Sequence, residues 1–99
     1  ERKMIVNLDE LRKEYLKEAE DYRMIEKYEA DKEEEYKYKA INTDKEIRKY
    51  SHDDDLYSSY MFYKQLERHH QVLKMDARIK AEEYEYKAEN IEDEDIFPF

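Results

Sequence analysis

The chain has 99 residues and no cysteine, so its length allows one domain and its composition excludes disulfides and thiolate chemistry. Charged residues make up 47% of the chain and the net charge is −9, which argues against a surface that binds nucleic acid directly and favours a protein partner with a basic surface. Glycine is absent and proline occurs once, so the tight turns of a β or α/β fold are not supported, and we expect an all-α protein.

High charge and low hydropathy are also typical of disordered chains, which is the competing interpretation. The regular spacing of Leu, Ile and the eleven Tyr favours helices over disorder. The sequence contains neither an apolar run of transmembrane length nor the apolar core of a signal peptide. We therefore expect a soluble protein of the cytoplasm.

Residues 7–41 are predicted to form the first helix. Asn7 is a suitable N-cap, and Glu10 lies three residues further on, where it can complete a capping box. Apolar residues then recur at spacings of three and four, which is the pattern of one face of a helix. The members of this stripe are Leu8, Leu11, Tyr15, Ala19, Tyr22, Ile25 and Tyr28, followed by Tyr36 and Ala40.

Residues 42–54 are predicted to connect the two helices. Thr43 and Glu46 have the spacing of a second capping box, which favours a new helix start and leaves room for a short helix inside the connection. Three consecutive aspartates follow at residues 53–55. The positive N-terminal end of the next helix would stabilise their negative charge.

Residues 55–90 are predicted to form the second helix, which carries the clearest heptad repeat of the chain. Residues repeated every seven positions predict a seam of the coiled-coil type. A neighbouring line of residues widens this face and suits contact with more than one helix. The seam residues are Leu56, Tyr63, His70, Ala77, Tyr84 and Ile91, with Leu66 and Leu73 between them. The neighbouring line comprises Phe62, His69, Val72, Ile79 and Tyr86.

Two helices of similar length with a short connection predict a long antiparallel helical hairpin. We expect this hairpin to occupy residues 1–91, with an acidic and aromatic tail at residues 92–99. A single bent rod in a parallel dimer would use the same seams, so the sequence leaves that arrangement open. Because a two-helix hairpin with this much charge has little surface to bury, we expect a homodimer or a subunit of a larger complex.

The three histidines do not predict a metal site. Zinc needs three or four ligands that face one point, whereas His69 and His70 are adjacent and point about 100° apart on a helix. His70 fits better as a tolerated polar seam residue or as a device that sets the register, and the aspartates after His52 fit better as helix caps. The sequence also lacks a glycine-rich phosphate loop and a recognisable nucleophile–histidine–acid arrangement. We therefore expect no metal, no cofactor and no enzyme activity.

Tyrosines and carboxylates alternate in the second half of the first helix and predict a surface for a protein partner. Tyrosine is favoured at interfaces because it combines an apolar ring with a hydrogen-bonding hydroxyl. Rows of carboxylates on a rigid helix are also what a protein that mimics DNA presents, while a solvated charged face is an equally good interpretation. The expected partner-binding residues are Glu33, Glu34, Glu35, Tyr36, Tyr38, Asp53, Asp54 and Asp55.

The last eight residues join four consecutive carboxylates to an apolar Ile-Phe-Pro-Phe segment. As a docking peptide, the acids would meet a basic rim on a partner while an apolar pocket takes Phe99; packing back on the helices is the alternative. The segment resembles the C-terminal tip of bacterial single-stranded-DNA-binding proteins, an Asp-rich run followed by Ile/Leu-Pro-Phe, with Phe97 inserted between Ile96 and Pro98. The resemblance implies a recruitment module in replication or recombination. The expected docking residues are Asp93, Asp95, Ile96, Pro98 and Phe99.

The chain as a whole, poor in glycine and rich in Glu, Lys and Tyr, resembles the small acidic helical accessory proteins of bacteriophages and other mobile elements. This resemblance implies a non-enzymatic protein of the host cytoplasm that binds and inhibits a nucleic-acid-processing or defence protein. Anti-CRISPR proteins, anti-restriction proteins and DNA mimics act in this way. Two alternatives remain: recruitment through the tail, and a coiled-coil structural subunit that self-associates through the seam of residues 56–91.

Overall fold

The computed structural model describes residues 7–50 and 53–91, which form two long helices packed side by side. Helix α1 spans Leu8–Lys49 and helix α2 spans Asp54–Glu89. At 1.5 Å per residue, the two helices are about 63 Å and 54 Å long. The Arg12 side chain near the start of α1 donates to the Ala88 carbonyl at the end of α2, so the helices run antiparallel. The predicted all-α helical hairpin is confirmed.

Both helices begin at a side chain that accepts hydrogen bonds from the first turn. The Asn7 Oδ1 accepts from the backbone N–H groups of Asp9 and Glu10, at 3.1 and 3.2 Å. Asp53 does the same for α2, where its Oδ1 accepts from the backbone N–H groups of the second and third residues that follow it, at 3.0 and 3.2 Å. The N-cap predicted at Asn7 is confirmed, because its side chain satisfies N–H groups that have no partner inside the helix.

Helix α1 continues past its predicted end at residue 41 and through most of the predicted connection. Thr43 is buried against α2, and its hydroxyl donates to the Lys39 carbonyl, 2.8 Å away, inside the helix. Arg48 pairs with Asp44 one turn earlier, at 3.1 Å. The expectation of a second helix start at Thr43 is therefore wrong. Packing against α2 and the bond to the preceding turn outweigh the local capping pattern.

The seam between the helices is built from two lines of residues on each helix, spaced seven apart. On α1 the lines are Leu8, Tyr15, Tyr22, Glu29, Tyr36 and Thr43, and Arg12, Ala19, Glu26, Glu33, Ala40 and Ile47. On α2 they are Leu56, Tyr63, His70, Ala77, Tyr84 and Ile91, and Tyr60, Glu67, Lys74, Ala81 and Ala88. All these residues are buried or half-buried, so the predicted first line of α2 is confirmed.

The second line of α2 differs from the prediction by one position. Leu66 and Leu73 were expected between the seam residues, but Leu73 lies at the edge and is 36% exposed. Ala81 and Ala88 lie in the seam instead and are almost completely buried. Small side chains at these positions let the two backbones approach closely, so the helix turns this face towards α1.

The predicted stripe of α1 faces α2 at its two ends but not in its middle. Its buried or half-buried members are Leu8, Leu11, Tyr15, Ala19 and Tyr22, and then Tyr36 and Ala40. Ile25 and Tyr28 face solvent, with 45% and 57% of their surface exposed. The seam continues from Tyr22 through Glu26 and Glu29, because these residues lie on the face that contacts α2. Charged side chains therefore occupy seam positions where the prediction had apolar ones.

Tyrosine rings fill much of the seam. Tyr84 stacks on Tyr22 with ring centres 5.8 Å apart and packs against Tyr15 at 6.1 Å. Pairs of this kind contribute about 0.5–1.5 kcal/mol beyond their buried area. The tyrosines predicted for the seam are half-buried, namely Tyr15, Tyr22, Tyr60, Tyr63 and Tyr84. Tyr36 joins them, whereas Tyr38, Tyr50, Tyr57 and Tyr86 are exposed.

Candidate protein-interaction surfaces

The middle of the seam is a ladder of charged pairs between the helices. Lys74 Nζ lies 2.6 Å from Glu33 Oε1, and Arg78 Nε donates to Glu26 Oε2 at 2.9 Å. A third rung joins Glu29 to a histidine ring of α2. The ladder places three carboxylates of α1 against three basic side chains of α2. These carboxylates therefore contact α2 and do not face a partner. We refer below to these six residues as the charged ladder: Glu26, Glu29, Glu33, His70, Lys74 and Arg78.

Arg23 extends the charged ladder towards the open end of the hairpin. Its guanidinium makes two parallel bonds to Glu85, at 3.0 and 2.9 Å, and a third to Glu26 at 2.9 Å. These hydrogen bonds raise the pKa of Arg23 above its ordinary value. The bonds from Arg78 and then Arg23 lower the pKa of Glu26, and the bond from Arg23 lowers the pKa of Glu85. Arg23, Glu26 and Glu85 therefore stay charged at neutral pH.

The predicted acidic surface of α1 is divided between the seam and the solvent. Tyr36 stacks on the His70 ring, with ring centres 5.5 Å apart, and so lies between the helices together with Glu33. Glu35 pairs with two lysines of its own helix, and the hydrogen bond from Lys39 is the main cause that lowers its pKa. Glu34 and Tyr38 face outwards. The five residues therefore do not form one continuous outward surface.

The three aspartates at the turn have a local role in α2. Asp53 is the N-cap, and Asp54 and Asp55 occupy the first turn. All three are exposed, as the sequence predicts, and lie at the positive end of the helix dipole. Their separation from Glu34 along the rod is about 25 Å, given the rise per residue, so the two acidic groups would contact different parts of a partner.

The tail residues predicted for docking lie outside the residues that the structure describes. They are Asp93, Asp95, Ile96, Pro98 and Phe99. The docking hypothesis for the tail remains a prediction from the sequence.

The side of α2 that faces away from α1 carries an exposed line of largely apolar residues at coiled-coil spacing. We name it the outer stripe: Met61, Gln65, Arg68, Val72, Met75, Ile79, Glu82 and Tyr86. Its apolar members expose large parts of their surface: Met61 44%, Val72 64%, Met75 51%, Ile79 58% and Tyr86 63%. Phe62 flanks the stripe and is 57% exposed. An apolar line of this kind on the outside of a helical pair is typical of surfaces that contact another helix.

Sequence reasoning found part of this surface and missed the charged ladder. The neighbouring line of Phe62, His69, Val72, Ile79 and Tyr86 was predicted as a wider packing face, and all five are exposed. Met61 and Met75 were not singled out, although they recur four positions before Gln65 and Ile79. The charged ladder had one signal in the sequence: residues of opposite sign occupy seam positions on the two helices.

A cavity of about 370 Å³ lies between the helices near the turn. Four of its six charged groups pair with one another: Arg48 with Asp44 and Lys64 with Glu67, at 3.1 and 3.0 Å. Its lining consists of Lys37, Ala40, Ile41, Asp44, Lys45, Arg48, Tyr60, Lys64 and Glu67.

Within residues 7–50 and 53–91, no three His, Asp or Glu side chains are grouped so that they could hold a metal ion. Neither described helix combines the length and the apolar content that crossing a membrane requires. The chain matches no protein-family model, no curated protein and no solved structure.

Proposed function

We propose that this chain is a non-enzymatic protein-binding module that docks another helix against the outer stripe of α2. The observation that carries the proposal is the exposure of Val72, Met75 and Ile79, each more than half exposed, on the side of α2 that faces away from α1. Outward positions of a two-helix pair are ordinarily polar. Complete burial of one such side chain contributes about 1.5–3 kcal/mol, so a partner that covers the stripe gains several such increments.

The interior of the rod supports a binding role over a catalytic one. The buried apolar residues of the described part are five alanines and Ile91, so the seam is thin and offers no enclosed apolar pocket. The charged ladder joins its acids to bases across the seam, so these side chains already contact one another. A general acid or base would need a carboxyl or imidazole that is free to exchange a proton with a substrate.

The test is a comparison of two double variants that add the same charge to different faces. Val72→Glu/Ile79→Glu alters the outer stripe, whereas Met24→Glu/Tyr28→Glu alters apolar residues of α1 that are 66% and 57% exposed. Bound proteins are quantified after capture from extract, and self-association is measured by light scattering. We expect the outer-stripe variant to lose binding at unchanged helicity and the control to keep it. Equal binding by both variants would refute the proposal.

A second candidate function is an acidic inhibitor of a nucleic-acid-processing or defence protein, of the anti-CRISPR, anti-restriction or DNA-mimic kind. The charge distribution along the rod favours it. Residues 7–21 and 76–91, at the open end, hold eleven Asp or Glu against six Lys or Arg. A basic nucleic-acid groove would attract this end, and salt would weaken the attraction.

The inhibitor function predicts different sensitive residues. Reversal of Asp53, Asp54 and Asp55 to Lys tests the turn, and reversal of Glu14 and Glu18 to Lys tests the open end, where both face solvent. Inhibition of DNA binding by a captured partner is measured at low and high salt. Loss of inhibition in one charge variant, with the outer-stripe variant unaffected, would favour the inhibitor over the helix-docking module.

A further inference from the structure

We infer that the helix docked on the outer stripe is α2 of a second copy of this chain, antiparallel to the first and centred on Val72 and Met75. The inference rests on the proposed function, since it takes the outer stripe to be a docking surface. It specifies the occupant, the direction and the register.

Four of the five apolar residues of the outer stripe are symmetric about its centre, namely Met61, Val72, Met75 and Tyr86; the counterpart of the fifth, Ile79, is Arg68. In an antiparallel pair, residues equally far from the two-fold axis on opposite sides face each other. With the axis between Val72 and Met75, each of these residues faces the other on the second copy. The same register sets Met61 opposite Tyr86 of the second copy. The large apolar members of the stripe therefore meet apolar partners at the centre and at both ends.

The charged members of the outer stripe are complementary in this register. Arg68 lies opposite Ile79 of the second copy and within one turn of Glu82 of the second copy. Among residues 7–50 and 53–91, the structure describes no ion pair for Arg68 or Glu82. Both side chains can therefore pair with a second copy. A parallel pair would instead set Arg68 against Arg68 and Glu82 against Glu82, which places like charges in the interface.

The flank of the stripe shows the same complementarity. In antiparallel coiled coils, the residues that flank one side of the stripe contact the residues that flank the same side on the second helix. The two chains run in opposite directions, so a residue near one end contacts a residue near the other end. His69 then faces Asp76 of the second copy, and both side chains are exposed in the hairpin. Phe62 faces the stem of Glu83 of the second copy.

The charge of the whole rod also favours the antiparallel direction. Residues 37–49 and 53–68, at the turn end, hold seven Lys or Arg against six Asp or Glu, so this end is close to neutral. The open end is acidic, with eleven acids against six bases in residues 7–21 and 76–91. An antiparallel pair sets each acidic end beside a nearly neutral one, whereas a parallel pair of chains with a net charge of −9 each would align the acidic ends.

The stripe is long enough for a dimer interface of the coiled-coil type. From Met61 to Tyr86 the helix rises about 38 Å, which is more than three heptads. Coiled coils usually extend over three or more heptads, and five of the eight stripe positions along this length are apolar.

The oligomeric state is the first test. Sedimentation equilibrium of the full chain should show a dimer, and Met75→Glu should raise the dimer dissociation constant at least a hundredfold, since a carboxylate is then placed against Val72 of the second copy on both sides of the axis. Met24→Glu, on the exposed side of α1, should leave the dissociation constant unchanged within threefold. A monomer at every concentration, or a dimer indifferent to Met75→Glu, would overturn the inference.

A charge exchange tests the register. Arg68→Glu should weaken the dimer about tenfold, and Glu82→Arg should do the same. The double variant Arg68→Glu/Glu82→Arg should restore the dissociation constant to within threefold of the original, because the pair is re-formed with reversed polarity. Additive weakening in the double variant would contradict the register.

Disulfide trapping tests the direction, and the absence of cysteine from the chain makes it specific. A mixture of Met61→Cys and Tyr86→Cys chains should form a crosslinked heterodimer under mild oxidation. Met61→Cys alone should not crosslink, whereas a parallel dimer would crosslink it efficiently. The helix-docking proposal stands without a second copy if the wild type is monomeric but the outer-stripe variant loses a captured protein. Both fail if the outer-stripe variant changes neither self-association nor capture.

Discussion

Glu29 and His70 meet at the middle of the seam, where Glu29 Oε1 lies 2.5 Å from His70 Nδ1. Tyr36 stacks on the imidazole, and Glu29 is only 9% exposed. A slip of one helix past the other would leave the carboxylate buried and without its partner. We infer that the pair sets the register of the hairpin, which is one of the two roles that the sequence predicts for His70.

Replacement of one member of this pair should destabilise the hairpin. We expect His70→Leu to lower the free energy of unfolding by about 1–3 kcal/mol, because Glu29 then loses its partner in a nearly buried position. The double variant Glu29→Leu/His70→Leu should recover to within about 1 kcal/mol of the original, since two apolar side chains replace the pair. Urea unfolding followed by circular dichroism measures both.

His69→Leu is the matched control for His70→Leu, because His69 is adjacent but exposed. It should change the free energy of unfolding by less than about 0.5 kcal/mol. Equal effects at residues 69 and 70 would show that the Glu29–His70 pair does not hold the seam.

Acid should weaken the hairpin in a defined pH range. Glu26 and Glu85 have a lowered pKa in the folded chain because Arg78 and Arg23 donate hydrogen bonds to them. The unfolded chain, with carboxyls near the ordinary value of 4.5, binds protons first as the pH falls. Their stabilising contribution is therefore complete above pH 4.5 and is lost as the pH falls through the lowered pKa values. Urea midpoints measured from pH 7 down to pH 3 test this.

Glu26→Gln/Glu85→Gln separates this effect from the general loss of negative charge. The double variant should be less stable at neutral pH and should show a shallower loss of stability on acidification. Exposed Glu20→Gln/Glu34→Gln removes the same charge and should retain the original pH profile. Identical profiles for all three proteins would contradict the assignment to the Arg23 and Arg78 contacts.

Enlargement of a small seam residue should force the helices apart. Ala81 has no exposed surface, so Ala81→Leu should lower the free energy of unfolding by about 1–3 kcal/mol through overpacking. Gln71→Leu adds the same side chain at an exposed position of α2 and should have little effect. Urea unfolding compares the two, and a stabilised Ala81→Leu protein would mean that the seam has unfilled space at this position.

Removal of the N-cap of α2 should lower the stability of the hairpin, whether or not the acidic turn also binds a partner. Asp53→Ala should cost about 1 kcal/mol, because two backbone N–H groups lose their acceptor. Asp54→Ala removes the same charge without removing the cap and should cost about half as much or less. Thermal unfolding at equal concentration compares the variants; equal destabilisation would assign the effect to charge alone.

Some features of the fold could be predicted from the sequence because they depend only on residues that are close together in the chain. The cap at Asn7 and the seven-residue spacing from Leu56 to Ile91 are patterns within one helix, and both appear as predicted. The end of α1 could not be predicted from local sequence patterns. Thr43 satisfies a capping pattern locally, yet in the folded chain it is buried against α2 and its hydroxyl bonds to the preceding turn.

Local chemistry alone makes this chain helical: it lacks glycine, has its only proline near the end, and repeats its apolar residues with the period of a helix. Periodicity tells which residues share a face, but two faces of α2 carry comparable apolar lines. Only the packing of the helices decides that Ala81 and Ala88 are covered while Val72 and Ile79 face solvent, because small side chains permit close approach. The same packing turns Glu33 and Tyr36 from a predicted surface into seam residues, since their partners Lys74 and His70 are far away in sequence.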